Sequence, residues 1–138
     1  MLTVKTNNCG AKKPSRIGVI FFLLLASTST PCSAEWTESN KTNTFTLYID
    51  ETTIQIKDDT TFVWAMYDFS KPQPEGYQSV KALLEFKCAL NRYRFRMFTA
   101  FESPMGEGEA GQPKSATTWD IPTSNSPLQS ISKRICKN

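Results

Sequence analysis

Apolar and polar residues alternate along "TFTLYID", which begins at Thr44, so that the large apolar side chains share one face. This period of two predicts a half-buried β-strand. Asp50 and Glu51 interrupt the alternation, "TIQIK" resumes it, and the pair Asp58 and Asp59 predicts a turn. The apolar positions of the two strand segments are Phe45, Leu47, Ile49, Ile54 and Ile56.

The next segment, "TTFVWAMYDF", is apolar at both parities, which predicts a central strand covered on both sides. It is followed by "SKPQPEGYQ", which contains two prolines and a glycine and therefore predicts a loop. A strand pattern returns in "SVKALLEFKC", where Val80, Leu84 and Phe86 have the same parity. These segments predict a sheet built from short strands and turns.

The stretch "EFKCALNRYRFRMF" changes parity across "LNR", which predicts a tight turn or bulge between two paired strands. A nucleic-acid platform needs rings and guanidinium groups on one surface. In this stretch the aromatic rings and the arginines alternate, so they lie on opposite faces of the strand. We therefore expect the aromatic residues in the core and the arginines on a solvated basic face that suits an acidic partner. The two sets are Arg92, Arg94 and Arg96 on one face and Tyr93, Phe95 and Met97 on the other.

A long segment of Gly, Pro and small polar residues follows, "ESPMGEGEAGQPKSATTW". It contains a G-x-G-x-x-G pattern at Gly106, Gly108 and Gly111. A dinucleotide site needs this pattern between a strand and a helix, whereas here two glutamates inside the pattern would repel phosphate. We therefore expect a mobile surface loop.

The C-terminal segment has the pattern of a helix. Ser126 fits the N-cap position, Pro127 suits the first helical position, and Gln129 completes an S-x-x-Q capping box. The apolar residues recur at three- and four-residue intervals and form one stripe. They are Leu128, Ile131 and Ile135.

Residues 1–34 have the pattern of a cleaved signal peptide. Four basic residues precede the apolar run "IGVIFFLLLA", which is too short to span a hydrocarbon core of ~30 Å. We expect cleavage after Ala34, with acylation of Cys32 as the alternative. Residues 35–138 then form one exported domain without a transmembrane segment, in the periplasm or associated with the outer membrane at the cell surface.

Removal of the signal peptide changes the charge and the cysteine count. It leaves twelve basic and thirteen acidic residues, a net charge of −1, which disfavours nucleic acid as a partner. It also leaves Cys88 and Cys136, which we expect to pair in an oxidising compartment. A reactive thiol or an intermolecular bridge is the alternative. A bond between them would tether the terminal helix to the sheet.

The residues reveal no catalytic apparatus. The chain contains no histidine, which removes Ser-His-Asp and Cys-His catalysis and every histidine metal site. Acidic neighbours such as Asp58 and Asp59 are typical of solvated turns rather than of a glycosidase pair. We expect no enzyme activity, no catalytic residue, no metal site and no cofactor.

The ordered features resemble the bacterial surface-adhesin protein E-like domain family. The resemblance rests on "LYID", "TTFVWAMYDF", "QSVKALLEFKC", "NRYRFR", "PMGEGE", Trp36, Trp119 and Cys136, and it spans essentially all of residues 35–138. It implies an α+β fold: an antiparallel β-sheet of about six strands with a C-terminal α-helix packed on one face and tethered by the disulfide. It also implies an adhesin-like protein that binds extracellular-matrix and plasma proteins and forms a homodimer.

Two functional hypotheses follow. The first is a cell-envelope module that recruits a protein partner through the arginine face and the loop at residues 106–111. The second is a soluble periplasmic protein that carries a small ligand or has a structural role. Its predicted pocket is lined by Trp64, Tyr67 and Tyr93.

Overall fold

The structure, a computed structural model, describes residues 34–136. The predicted cleavage and the alternative acylation at Cys32 concern a segment that lies, apart from Ala34, outside the described residues. Within residues 34–136, no helix is both long enough and apolar enough to cross a membrane.

Five antiparallel strands form one sheet, and each strand pairs with its neighbours in the sequence. The third strand, β3 (Thr60–Phe69), is the central one, as its apolar residues at both parities predict. A helix, α1, follows the sheet, and two short 3-10 turns lie at Cys88–Leu90 and Pro104–Gly106. The elements are β1 (Trp36–Lys41), β2 (Phe45–Lys57), β3 (Thr60–Phe69), β4 (Ser79–Lys87), β5 (Arg92–Phe101) and α1 (Pro127–Ile135).

The expectation of about six strands is wrong by one strand. Residues 109–120 run beside β5, where a sixth strand would lie, but they pair with it only at isolated positions. Gly111 disfavours an extended ladder and Pro113 has no N–H to donate, so the pairing breaks between contacts. The isolated antiparallel pairs are Phe101 with Ala110, Phe98 with Lys114 and Tyr93 with Asp120.

The predicted interruption at Asp50 and Glu51 is a bulge inside one long strand rather than a strand end. The register of β2 against β3 shifts between Asp50 and Gln55. The Asp50 carboxylate accepts hydrogen bonds from the Thr52 backbone N–H (3.0 Å) and hydroxyl (2.5 Å), which replace ladder bonds at this point. The predicted turn at Asp58 is confirmed, with a positive φ of 55°.

A second bulge lies in β5. Phe95 and Met97 pair with consecutive residues of β4, so Arg96 is the extra residue. The prediction that Met97 shares a face with Tyr93 and Phe95 is therefore wrong, because one inserted residue exchanges the faces of the strand beyond it. Phe98 takes that place, with its ring centroid 6.2 Å from that of Phe95.

The face of the sheet that packs against α1, which we call the helix face, carries the core. The Ser126 hydroxyl accepts from the Gln129 N–H (3.2 Å) and confirms the predicted N-cap. The disulfide between Cys88 and Cys136 tethers the end of the helix to the sheet, with Cα atoms 5.4 Å apart, as predicted. The buried core consists of Leu47, Ile49, Val63, Ala65, Leu84, Phe86, Ile131 and Ile135.

Candidate partner-binding face

The opposite face of the sheet, which we call the open face, carries a row of side chains that crosses all five strands. Directly paired residues project to the same side of a sheet, so the row forms one continuous surface. Four of its members are half-buried or exposed, and the aspartate is buried. The row is Trp36, Asp50, Trp64, Leu83 and Met97.

Lys81 lies between two of these aromatic rings. Its Nζ is 5.2 Å from the ring centroid of Trp64 and 5.7 Å from that of Trp36. A cation over an indole ring is stabilised by about 0.5–1 kcal/mol at partly exposed sites. The two rings thus hold an ammonium group at the surface in a defined position, on strands that are far apart in the sequence.

Trp119 brings the third indole to the same face. It belongs to the segment beside β5, and its ring lies 4.5 Å from the Arg94 guanidinium and 5.2 Å from Lys87 Nζ. The protein contains three tryptophans, and all of them therefore lie on the open face. Because each ring contacts at least one cation, the surface combines aromatic area with positive charge.

The three arginines that the sequence analysis predicts as partner contacts have different environments. Arg94 Nε donates to Glu85 Oε2 at 2.6 Å, and both side chains are largely buried, so this pair belongs to the fold. Arg92 and Arg96 are exposed, and neither forms a salt bridge with another residue of the range 34–136. Arg92 and Arg94 lie on the open face, whereas Arg96 occupies the bulge.

The expected separation of rings from arginines is incomplete. Tyr93 and Phe95 do lie on the helix face, but Trp119 stacks on Arg94 from a segment 25 positions later in the sequence. Alternation within one strand is a local property, so it cannot report a ring that arrives from a distant segment. Rings and guanidinium groups share the open face after all.

The predicted loop at residues 106–111 is anchored rather than free. The N–H groups of Met105 and Gly106 donate to Asp68 Oδ1 (2.7 Å) and Ser79 Oγ (2.9 Å). Gly106 has a φ of 76°, a conformation that favours glycine, and a Cβ there would meet Met66 Cε at 2.8 Å, so a larger residue would require the Met66 side chain to shift. These contacts cover the end of the open face near Asp68.

The loop and the exposed arginines are not brought together. Gly111 donates its N–H to Ala100 O at the end of β5, whereas Arg92 begins that strand. Eight residues of extended chain separate the two positions by roughly 25 Å. The predicted contact set of Arg92, Arg94, Arg96, Gly106, Gly108 and Gly111 is therefore spread over both ends of β5.

The predicted pocket residues do not line one cavity. Tyr67 and Tyr93 pack against the helix-face core, whereas Trp64 lies on the open face, because adjacent residues of β3 point to opposite sides. The buried Tyr67 hydroxyl has no hydrogen-bond partner among the described residues. Burial raises the pKa of Tyr67, and the neighbouring Tyr93 adds to the rise. Burial, with the charge of Asp120, also raises the pKa of Tyr93.

The described residues offer no metal centre. Across the range 34–136, no group of three or more Cys, Asp or Glu side chains is arranged to hold a metal ion. The disulfide also removes both cysteines of this range from thiol chemistry. The chemistry that remains on the open face is stacking, cation–π contact and hydrogen bonding to anions.

Sequence reasoning did not identify the open face as a site. Trp36 and Trp119 entered only as parts of a family pattern, and Lys81 was not singled out. A usable signal was present in β3 and β4, where Trp64 and Leu83 have the parity opposite to the core residues. The contribution of Trp119 depends on a distant segment and had no such signal.

A family model described as surface-adhesin protein E matches residues 36–137. The crystal structure of protein E from non-typeable Haemophilus influenzae aligns with a TM-score of 0.57 and 20% identity, over 81% of this chain and 81% of that chain. Crystal form II of Haemophilus influenzae protein E aligns with a TM-score of 0.54 and 16% identity, over 71% of this chain and 91% of that chain. A comparison with curated proteins finds no match. At these identities, the structural likeness establishes the fold alone.

Proposed function

The chain belongs to the surface-adhesin protein E family, and from this premise we propose that it is an exported, adhesin-like module that binds a partner protein through its open face. The family points to a non-enzymatic binding protein. The proposal adds the surface that makes the contact and the chemistry of the partner.

The observation that carries the proposal is the aromatic row with its cations. Trp and Arg side chains dominate the energetics of protein interfaces, because large flat groups lose little entropy on contact. The open face presents three indoles together with the partly exposed Leu83 and Met97. Its exposed or half-exposed cations are Lys81, Lys87 and Arg92, with Arg96 at the edge of the row.

Charge defines the partner. The buried carboxylates of the open face are engaged, Asp50 with Thr52 and Glu85 with Arg94. Lys87 also pairs with Asp59 (3.9 Å), whereas Lys81, Arg92 and Arg96 form no salt bridge with another residue of the range 34–136. These three cations complement an acidic segment, of the kind that an extracellular-matrix protein can present. An apolar residue of that segment would contact Met97 and Leu83 while its carboxylates meet the surrounding cations.

A matched pair of substitutions tests the surface. Met97 is exposed at the β5 end of the row on the open face and Ile56 is exposed at the edge of the helix face, so Met97→Glu and Ile56→Glu add the same charge on opposite sides. Surface plasmon resonance against immobilised matrix proteins should show that Met97→Glu lowers the affinity at least about tenfold and that Ile56→Glu lowers it less than about twofold. Equal affinities in the two variants would refute the assignment of the open face.

Salt dependence tests the charge component. The double variant Arg92→Ala/Arg96→Ala should bind more weakly and flatten the dependence of affinity on ionic strength, because both cations are exposed. Arg94 is left intact because its loss would disturb the fold. An unchanged salt slope would remove the two arginines from the contact.

Export is the second part of the proposal. We propose that residues 1–34 are removed and that the domain at residues 35–138 acts in the cell envelope. Intact-mass measurement of the purified protein should give a chain that begins at Glu35. A lipid-modified mass beginning at Cys32 would support acylation instead.

Location decides whether the partner lies outside the cell. A tag placed after Asn138 can be followed by antibody labelling and protease shaving of intact and permeabilised cells. Labelling of intact cells is the expected result. Labelling that requires permeabilisation would confine the module to the periplasm and would exclude a host-matrix partner.

A further inference from the structure

A second surface lies on the helix face, where a groove of about 520 Å³ is lined by no residue of α1. Its floor consists of Val80, Phe98 and Ala100. These residues belong to the helix face because Phe98 pairs with the buried Ala82, and Ala100 pairs with Val80. The three floor residues are half-buried rather than part of the closed core.

The rim of this groove is acidic. Glu75 comes from the loop between β3 and β4, Glu102 directly follows β5, and Glu109 begins the segment beside β5. All three are exposed, and none forms a salt bridge with another residue of the described range. Lys114 is the only cation among the lining residues, which leaves an excess of two negative charges around an apolar floor.

We propose that this acidic groove docks a short basic segment of a partner protein, in which one apolar residue is flanked by lysines or arginines. The apolar side chain covers the floor at Val80 and Phe98. The long stems of the flanking residues lie along the walls while their charged ends reach the rim carboxylates. The exposed rim leaves the groove open to solvent, which suits a protein segment better than a small molecule that needs enclosure.

The acidic groove is separate from the open face in position and in charge. It lies on the other side of the sheet, and it attracts cations where the open face attracts anions. A partner that fits one surface is repelled by the other. The chain therefore has room for two partners of opposite charge at the same time.

Labelled peptides test the chemistry of the acidic groove. Fluorescence anisotropy of the purified oxidised domain would use the peptide GKKLKKG, a charge-reversed peptide GEELEEG and a peptide GKKSKKG that lacks the apolar residue. We expect GKKLKKG to bind, GKKSKKG to bind at least about threefold more weakly, and GEELEEG not to bind. Absence of GKKLKKG binding at millimolar protein, or equal binding of GKKLKKG and GKKSKKG, would overturn the proposal.

Two triple variants distinguish peptide binding at the acidic groove from attraction of the peptide to the net charge of the protein. The groove variant is Glu75→Gln/Glu102→Gln/Glu109→Gln, and the control is Glu35→Gln/Glu38→Gln/Asp58→Asn, which removes the same charge from other exposed positions. The groove variant should bind GKKLKKG about tenfold more weakly and the control less than about twofold. Equal losses would show attraction to net charge only and would overturn the site. Circular dichroism confirms that each variant is folded.

Discussion

The helix face and the open face are formed by alternate residues of the same strands, yet they differ in almost every property. On the helix face, Leu47, Ile49 and Val63 are fully buried under a helix that a disulfide holds in place. On the open face, the neighbouring Trp64 and Leu83 remain partly exposed and contact a cation or lie beside one. The comparison shows that parity within a strand separates the closed core under α1 from the aromatic row and its cations.

Removal of the disulfide should have the largest effect on this difference. The bond joins residues 48 positions apart, and in the chain-entropy model a loop of this length is worth about 4 kcal/mol. Cys88→Ala/Cys136→Ala should lower the free energy of urea unfolding by about that amount. The reduced wild-type protein is the control and should match the double variant. A loss below about 1 kcal/mol would show that the helix face holds α1 without the bond.

Shortening a buried side chain of α1 should have the second largest effect on stability. Ile131 is fully buried between α1 and the sheet, so Ile131→Ala leaves a cavity and should cost about 3 kcal/mol in urea unfolding. Ile56→Ala is the matched control because Ile56 is 75% exposed, and it should cost less than about 0.5 kcal/mol. Similar losses for both would contradict the assignment of the core to the helix face.

The open face contains a largely buried ion pair, Arg94 with Glu85, and its arginines sharpen the comparison. Arg94→Gln leaves the carboxylate of Glu85 buried without its partner and should cost about 2 kcal/mol of stability. Arg92→Gln changes an exposed residue of the same strand and should cost less than about 0.5 kcal/mol. Equal stability of the two variants in chemical denaturation would show that the open face has no structural ion pair.

The smallest effect at neutral pH is expected at Tyr67. Its buried hydroxyl lacks a hydrogen-bond partner among the described residues, so Tyr67→Phe should change stability by less than about 1 kcal/mol at pH 7. The two proteins should diverge in alkali. Because the pKa of Tyr67 is raised from its ordinary value of 10.0, the unfolded chain loses this proton first as the pH rises above 10.0. Stability is therefore present below that pH and falls above it.

Unfolding in urea at pH 7 and pH 11 checks the Tyr67 prediction. The wild-type protein should lose more stability between the two conditions than Tyr67→Phe does. Tyr93, whose pKa is also raised, contributes a further loss that both proteins share. Identical alkaline losses would contradict the burial of the Tyr67 hydroxyl on the helix face.

Much of the helix face could be predicted from local pattern. The alternation at Phe45, Leu47 and Ile49 has the period of a strand, and the N-cap at Ser126 with its following apolar stripe has the period of a helix. Each signal involves residues close in sequence, so backbone geometry alone connects the pattern to the element. The pairing of Cys88 with Cys136 could also be predicted, because only these two cysteines remain once residues 1–34 are set aside as a signal peptide.

The open face could be predicted only in part. The opposite parity of Trp64 was visible, but the bulge at Arg96 moved Met97 onto the open face and Phe98 onto the helix face. Where a bulge falls depends on which residues of the neighbouring strand are available for pairing. The structure does not bring Trp64 to the same side as Tyr67 and Tyr93, since residues of opposite parity in β3 lie on opposite faces of the sheet.

The sequence by itself determined β3 as the central strand, the terminal helix, the covalent tether and the family to which the chain belongs. Tertiary structure decided that Trp119 stacks on Arg94, that Lys81 lies between Trp36 and Trp64, and that residues 109–120 run beside β5 as an incomplete sixth strand. The physical reason is the distance along the sequence between the residues that interact. Periodicity and caps arise from neighbouring residues, whereas a surface assembled from distant segments depends on register and on packing of the whole chain.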